Sequence, residues 1–347
     1  MTTSTSDEQI RFLENLQRLL DEGQFVASYK FALLLSLADL SIEKGNDSGS
    51  PLMLTTEAIA EKFIQYYWRQ AVPYPAVQNP RVLKQNTGKQ AAVISLIAAA
   101  RAQRGDTLAS MVRQEPFWRN LLRDVSRVVS VMPLWKLQTV GGKCLDFLYE
   151  NSETGRTVEL RPGVAYCFRK FHPLIADLVR GAWLRYVRQQ NIDILGESTD
   201  LNQFLFGSER AALTVVRPVL IDIQQGRCFY CKRSLSPLST HVDHFIAWSR
   251  YPIDLGHNFV LADNRCNSQK CDRLPAYDHL SAWTERNRRF GDQIGGAMEE
   301  RGIIAELTVS TRVTQWAYEQ TESANGLTWI RADELEPLNP SWRTLFH

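Results

Sequence analysis

The stretch HVDHFIAWSRYPIDLGHNFVLADNRCNSQKCDRLP, residues 241–275, holds His241, Asp243, His244, His257, Asp263, Cys266 and Cys271 within 31 positions. Just upstream, RCFYCKRSL (227–235) presents Cys228-x-x-Cys231, a knuckle whose two thiolates bind one zinc ion. Asp263-x-x-Cys266 repeats that spacing. Cys228, Cys231 and Cys266 are therefore the expected zinc ligands. The fourth is either Asp263, which has the spacing, or Cys271, which has the softer ligand atom but lies five residues beyond Cys266. Between the two halves, HVDHFI reads as a strand, so Asp243 and His244 point to opposite faces unless the strand bends or bulges. An adjacent Asp and His suit phosphodiester hydrolysis, the carboxylate to hold a divalent cation and the imidazole to take a proton from water. GHNFVL (256–261) then supplies Asn258 beside a second strand, and RCNSQK (265–270) supplies Asn267 at the start of an expected helix, where its side-chain oxygen would complete the cation's protein ligands. The stretch predicts a strand, strand, helix unit built around metal.

Working outward, 347 residues with 44% hydrophobic composition suffice for two domains, or one core with a small module attached. There is no apolar run of about 18 residues, and the start, MTTSTSDEQIRF, is polar, which predicts a cytoplasmic protein with no leader and no membrane partner. Six cysteines in a chain this long are not a disulfide framework. Four of them cluster with four of the six histidines between residues 228 and 279, while Cys144 and Cys167 read as buried apolar residues. The net charge of +2 hides an uneven distribution. Residues 81–136 carry ten Lys or Arg against three Asp or Glu, and a second basic stretch runs from Arg161 through Arg169, Lys170, Arg180 and Arg185 to Arg188. Such segments either track a phosphate backbone or are the solvated faces of ordinary helices.

The remainder reads as mostly helical. EQIRFLENLQRLL (8–20) spaces its apolar residues for one helix face, and YKFALLLSLADLSIEK (29–44) has the apolar density of a buried helix. EKGNDSGSPL (43–52) breaks the chain, and Thr55 or Thr56 is placed to cap the helix EAIAEKFIQYYWRQ (57–70). The Gly-Lys pairs at 88–89 and 142–143 are not phosphate loops, because Leu83 and Leu137 stand where the first glycine is needed and Gln90 and Cys144 where Ser or Thr is needed. Residues 157–168 are expected to hold short strands, and 171–191 a helix. Leu213, Val216, Leu220 and Ile223 predict a helix bent or interrupted at Pro218. After Arg273 the pattern returns to helices, although β-branched residues leave 302–321 equally readable as strand. The expected fold class is α+β, mostly α-helical, with a small metal module inserted between helical regions. The expected division is 1–205 as a helical N-terminal domain that positions DNA or regulates, 206–290 as the module with its core at 226–275, and 291–347 as a C-terminal helical or mixed segment that packs on the rest.

The ordered set Cys-x-x-Cys, Val-Asp-His, His-Asn-x-x-Leu and Cys-Asn-x-x-Lys resembles the HNH endonucleases, whose shared core is the ββα-metal fold. The likeness covers about residues 226–275. It implies that His244 is the general base, that Asp243 and Asn267 hold a catalytic Mg²⁺ or Mn²⁺, that Asn258 fixes the loop between the strands, and that a separate Zn²⁺ is structural. It further implies a DNA endonuclease leaving a 5′-phosphate and a 3′-hydroxyl, in a setting of restriction or antiviral defence with other defence-system proteins as partners. Two positions depart from the family pattern. Ala247 stands where many members have Pro, and Asp263 where the second knuckle begins with Cys or His. Arg250, Arg265, Lys270 and Arg273 surround the motif as candidate phosphate contacts, while His257 and His279 read as structural. The competing expectations are a non-catalytic zinc-stabilised module that binds nucleic acid, cleavage of RNA, and a nuclease active only within a larger complex.

Overall fold

A helix that is apolar on all sides must be wrapped by others, and YKFALLLSLADLSIEK forms one. In the computed structural model, which describes residues 4–346 except 24, 78, 106, 152–155, 196–199, 208–209 and 237–238, α1 (Tyr29–Lys44) is buried continuously from Lys30 to Glu43. It is enclosed by α2 (Thr56–Trp68), α3 (Val164–Lys170) and α4 (His172–Gln190). Thr55 caps α2 through its hydroxyl, which accepts the N–H of Ala58 at 3.1 Å. Strand pairing in this unit is slight, the longest ladder joining Leu52–Thr55 to Thr157–Leu160 antiparallel. The chain divides into two units, one of residues 1–106 and 111–207 and the other of 107–110 and 208–347. The fold class is α+β and mostly helical, with small antiparallel sheets. Among the described residues no helix is long and apolar enough to cross a membrane.

Burying α1 whole also buries Asp39 and Glu43, which therefore need partners. His172 Nε2 lies 2.7 Å from Asp39 Oδ1, the Tyr66 hydroxyl donates to Asp39 Oδ2 at 2.5 Å, and Lys62 pairs with Glu43. Arg169, from the second basic stretch, is also buried and ion-paired, its Nε 2.5 Å from Asp47 Oδ1, so it does not belong to a phosphate-tracking face. Burial by itself would raise the Asp39 carboxyl. The hydrogen bond and charge of His172, the charge of Lys62 and the Tyr66 hydroxyl outweigh it and hold the group below its ordinary value. A carboxylate depressed in the folded state contributes stability above its unfolded pKa of about 3.9 and loses it as pH falls through the folded value. Thermal midpoints of the N-terminal unit between pH 2 and 7 are thus expected to fall below about pH 4, and Asp39→Asn is expected to flatten that limb.

In the second unit, α5 (Arg210–Gln224) runs through Pro218, and two residues beyond its end Gly226, at a φ of +64°, turns the chain into the cysteine knuckle. Strands β1 (Thr240–His244) and β2 (Phe259–Asp263) pair antiparallel, Thr240 opposite Asp263 and His244 opposite Phe259. Helix α6 (Asn264–Lys270) follows β2 directly. Val216 and Leu220 of α5, Phe259 and Leu261 of β2, and Ile294 and Met298 of α7 (Tyr277–Glu300) share one core. From α7, the buried Arg286 donates to the carbonyls of Phe259 at 2.6 Å and His257 at 2.5 Å, and Trp283 Nε1 donates to the latter at 3.1 Å. These bonds fix the approach to β2. Helix α8 (Leu307–Ser323) resolves the ambiguity at 302–321 in favour of helix from Leu307 onward, with Val313, Trp316, Ala317 and Tyr318 buried at helical spacing. The hairpin β3 (Leu327–Arg331) and β4 (Glu334–Pro337) follows.

Two sequence expectations are corrected. Only Thr157–Leu160 of 157–168 is strand, because Gly163 at φ +81° starts α3 immediately afterwards. The boundary expected at 290 falls inside α7, whose buried face runs from Leu280 through Trp283, Asn287, Gly291 and Ile294 to Met298, and 291–347 falls in the same unit as 208–290.

Candidate functional site

The knuckle is a closed turn. Cys228 N–H donates to the Arg233 carbonyl at 2.9 Å and Lys232 N–H to the Cys228 carbonyl at 3.0 Å, with Lys232 in the left-handed region at φ +62°. Phe229 N–H fastens the turn to the Leu261 carbonyl at 2.8 Å, which brings it beside the end of β2 and the start of α6. The sulfur atoms of Cys228, Cys231 and Cys266 consequently lie within 4.8 Å of one another. Asp263 N–H donates to Cys228 Sγ at 3.3 Å.

The three thiols do not ionise alike. Burial raises Cys228; for Cys266, burial and then the neighbouring Cys228 and Cys231 sulfurs push the thiol well up. Cys231 is also pushed up by burial, but hydrogen bonds from the Arg233 backbone and from the Cys228 and Cys266 thiols bring it below its ordinary value. One thiolate forms readily here and the next two resist adding like charge, a debt that a bound divalent ion cancels. The donor set fits a metal ion such as zinc. Neither candidate for the fourth ligand joins the three. Asp263 Oδ1 accepts Arg265 N–H at 2.9 Å as the cap of α6, and Cys271 is exposed beyond the helix end at φ +51°. A carboxylate at a helix start is drawn to the free backbone N–H groups there, which competes with metal binding.

The β1–β2 register runs without a bulge through Asp243 and His244, so the two side chains leave the strand in opposite directions. On one side Asp243 is almost fully buried. Tyr230 donates its hydroxyl to Oδ2 at 2.6 Å, and Lys270 Nζ lies 3.1 Å from Oδ2 and 3.4 Å from Oδ1. Lys270 is wholly buried and also donates to the His244 carbonyl at 2.8 Å. Burial, and then the charge and hydrogen bond of Asp243, push the Tyr230 hydroxyl far above its usual value, so it remains a donor. The rings of His279 and Trp329 pack edge to face on Tyr230 at 5.2 Å. On the other side, His244 Nε2 lies 2.8 Å from Asp254 Oδ1, and its ring meets Phe259 at 5.0 Å and Trp248 at 5.4 Å.

Asn258 ties off the connection between the strands, its Oδ1 accepting Ile246 N–H at 2.8 Å and its Nδ2 donating to the Ile246 carbonyl at 2.9 Å. Asn267 is half-buried in α6, one turn before Lys270. The pair Asp243 and Asn267 does not fit the divalent cation that the resemblance implies. The Lys270 ammonium already neutralises Asp243, and a second cation would have to displace a buried ion pair. Among the described residues, no cluster of three His, Cys, Asp or Glu converges apart from the cysteines.

Lys270 is thereby corrected from a phosphate contact to an internal cation. Arg265 and Arg273 are exposed; Arg250 is partly covered, with Nε donating to the Asp272 carbonyl at 3.0 Å. His241 is half-buried and shares the strand face of Asp243. His257 and His279 donate to the carbonyls of Gly291 and Ile330, and burial lowers both below the usual imidazole range. Sequence reading missed Asp254 and Tyr230. Tyr230 had a usable signal, lying between the knuckle cysteines, whereas Asp254 had none beyond its place in the loop. Comparison of the chain with family models, with curated proteins and with solved structures gives no match.

Proposed function

We propose that the second unit is a nuclease module of the HNH type that hydrolyses DNA phosphodiesters, with His244 as general base. The observation that carries this reading is the placing of His244. It ends the first strand of a strand, loop, strand, helix unit, its ring is held by a carboxylate, and 11% of its side chain remains open to solvent. In the reaction, water gives its proton to His244 as its oxygen bonds to phosphorus; the P–O3′ bond breaks, its electron pair leaves with the 3′ oxygen, and solvent protonates that oxygen. The products carry a 5′-phosphate and a 3′-hydroxyl. Arg265 and Arg273, exposed at either end of α6, supply positive charge for the flanking phosphates. The cysteine cluster carries no chemistry in this scheme and holds the knuckle to β2 and α6. A setting in restriction or antiviral defence, alone or with partner proteins, accords with this activity.

The second reading, a zinc-stabilised module that binds nucleic acid without cutting it, is favoured by the Lys270–Asp243 pair, which withdraws the carboxylate a catalytic cation would use. Supercoiled plasmid incubated with the purified chain in EDTA, Mg²⁺ or Mn²⁺ separates the two. The nuclease reading expects open-circle or linear DNA, and the three conditions report whether a cation from solution takes part. Retarded plasmid that stays supercoiled under all three supports the binding module.

A further inference from the structure

We propose that Asp254 is the positioning residue for His244, holding the imidazole by Nε2 so that Nδ1 is the nitrogen that takes the proton from water. This rests on the nuclease reading. A carboxylate can only accept at 2.8 Å from Nε2, so the neutral ring carries its proton on Nε2 and its lone pair on Nδ1. The ring plane is set independently, by Phe259 and Trp248, and the backbone by Lys270 on the His244 carbonyl and by the pairing of His244 with Phe259. What remains free is which ring nitrogen faces inward, and Asp254 decides that.

The position of Asp254 is itself built. Tyr251 and Leu255 on either side of it are buried at 1% and 3% exposure, Gly256 N–H donates to the Ile304 carbonyl at 2.8 Å, and Asn258 closes the loop on Ile246. A Cβ at Gly256 would meet Met298 Cγ at 2.8 Å, so the loop runs hard against α7 there. The carboxylate thus stands on a fixed wall. After proton transfer, it also faces the imidazolium with an opposite charge, which stabilises the state that follows attack.

The test is single-turnover cleavage of a DNA duplex by full-length Asp254→Ala and Asp254→Asn, with DNA affinity, thermal midpoint and the imidazole N–H resonances of ¹⁵N-histidine-labelled protein measured beside them. Asp254→Ala is expected to slow cleavage roughly 10- to 100-fold with affinity within twofold of wild type, and to lose the hydrogen-bonded Nε2–H resonance that Lys or Arg changes elsewhere leave in place. Asp254→Asn, equal in size and uncharged, is expected to lower the rate at least about 10-fold and decides the matter if the alanine variant does not fold. Wild-type rates in the folded variants, or an affinity loss equal to the rate loss, overturn the positioning role while leaving His244 as base. A wild-type protein that cuts nothing overturns the nuclease reading first and the Asp254 role with it.

Discussion

Cys228→Ala is expected to abolish metal binding at the cysteine cluster and to unfold the second unit with it. Structural zinc in small modules is worth on the order of 10–16 kcal/mol, against a total stability of about 5–15 kcal/mol for an ordinary domain, so loss of the ion removes about as much as the whole unit has in reserve. The geometry says why the effect reaches beyond the knuckle. Cys228 is fully buried, its sulfur accepts Asp263 N–H at the end of β2, and Cys266 belongs to α6, so the three thiols join the turn, the sheet and the helix at one point. Elemental analysis should find one equivalent of zinc in the wild type and none in the variant, and far-UV circular dichroism should show the loss of one of two unfolding transitions. Cys271→Ala and Cys144→Ala, at exposed positions outside the cluster, are expected to keep both the zinc and the transition. Zinc retained by Cys228→Ala, or lost from Cys271→Ala, would contradict this assignment of ligands.

Lys270→Met should have the next largest effect. It leaves the carboxylate of Asp243 buried with only the Tyr230 hydroxyl, and stranding one charge of a buried pair costs about 3–5 kcal/mol. The carbonyl of His244 loses its donor in the same change. Asp243→Asn combined with Lys270→Met removes both charges, and is expected to recover part of the loss, so that the double variant is more stable than the sum of the single changes. Urea denaturation of the three variants reads this as non-additive shifts in the second unit's midpoint. Additive shifts would mean that the two groups do not face each other as described.

The parts of the second unit that could be read in the sequence are those fixed by short spacing. Cys228-x-x-Cys231 is a local turn, Asn258 and Ile246 lie at the two ends of one loop, and strand alternation already placed Asp243 and His244 on opposite faces. What could not be read depends on how the chain travels between such points. Asp254 reaches His244 because the loop is pressed against α7, a contact that no spacing encodes. Lys270 had the composition of a phosphate contact, but α6 is only two turns long and its last turn faces the sheet, which turns the side chain inward to Asp243. Asp263 had the knuckle spacing of a metal ligand and went to the helix start instead, because β2 passes into α6 without an intervening loop. In the first unit, the apolar density of α1 was plain from the sequence. The partners of Asp39 were not, since His172 and Tyr66 come from two other helices.

In the proposed reaction His244 takes a proton from water during phosphodiester cleavage, and His244→Ala tests that role most directly. Single-turnover cleavage of a DNA duplex is compared for wild type and variant under the conditions in which the wild type cuts, with DNA affinity and thermal midpoint measured on the same preparations. Removal of a general base is expected to slow cleavage by about 10²- to 10⁴-fold with affinity and folding unchanged. Cleavage by the variant at the wild-type rate would contradict the account.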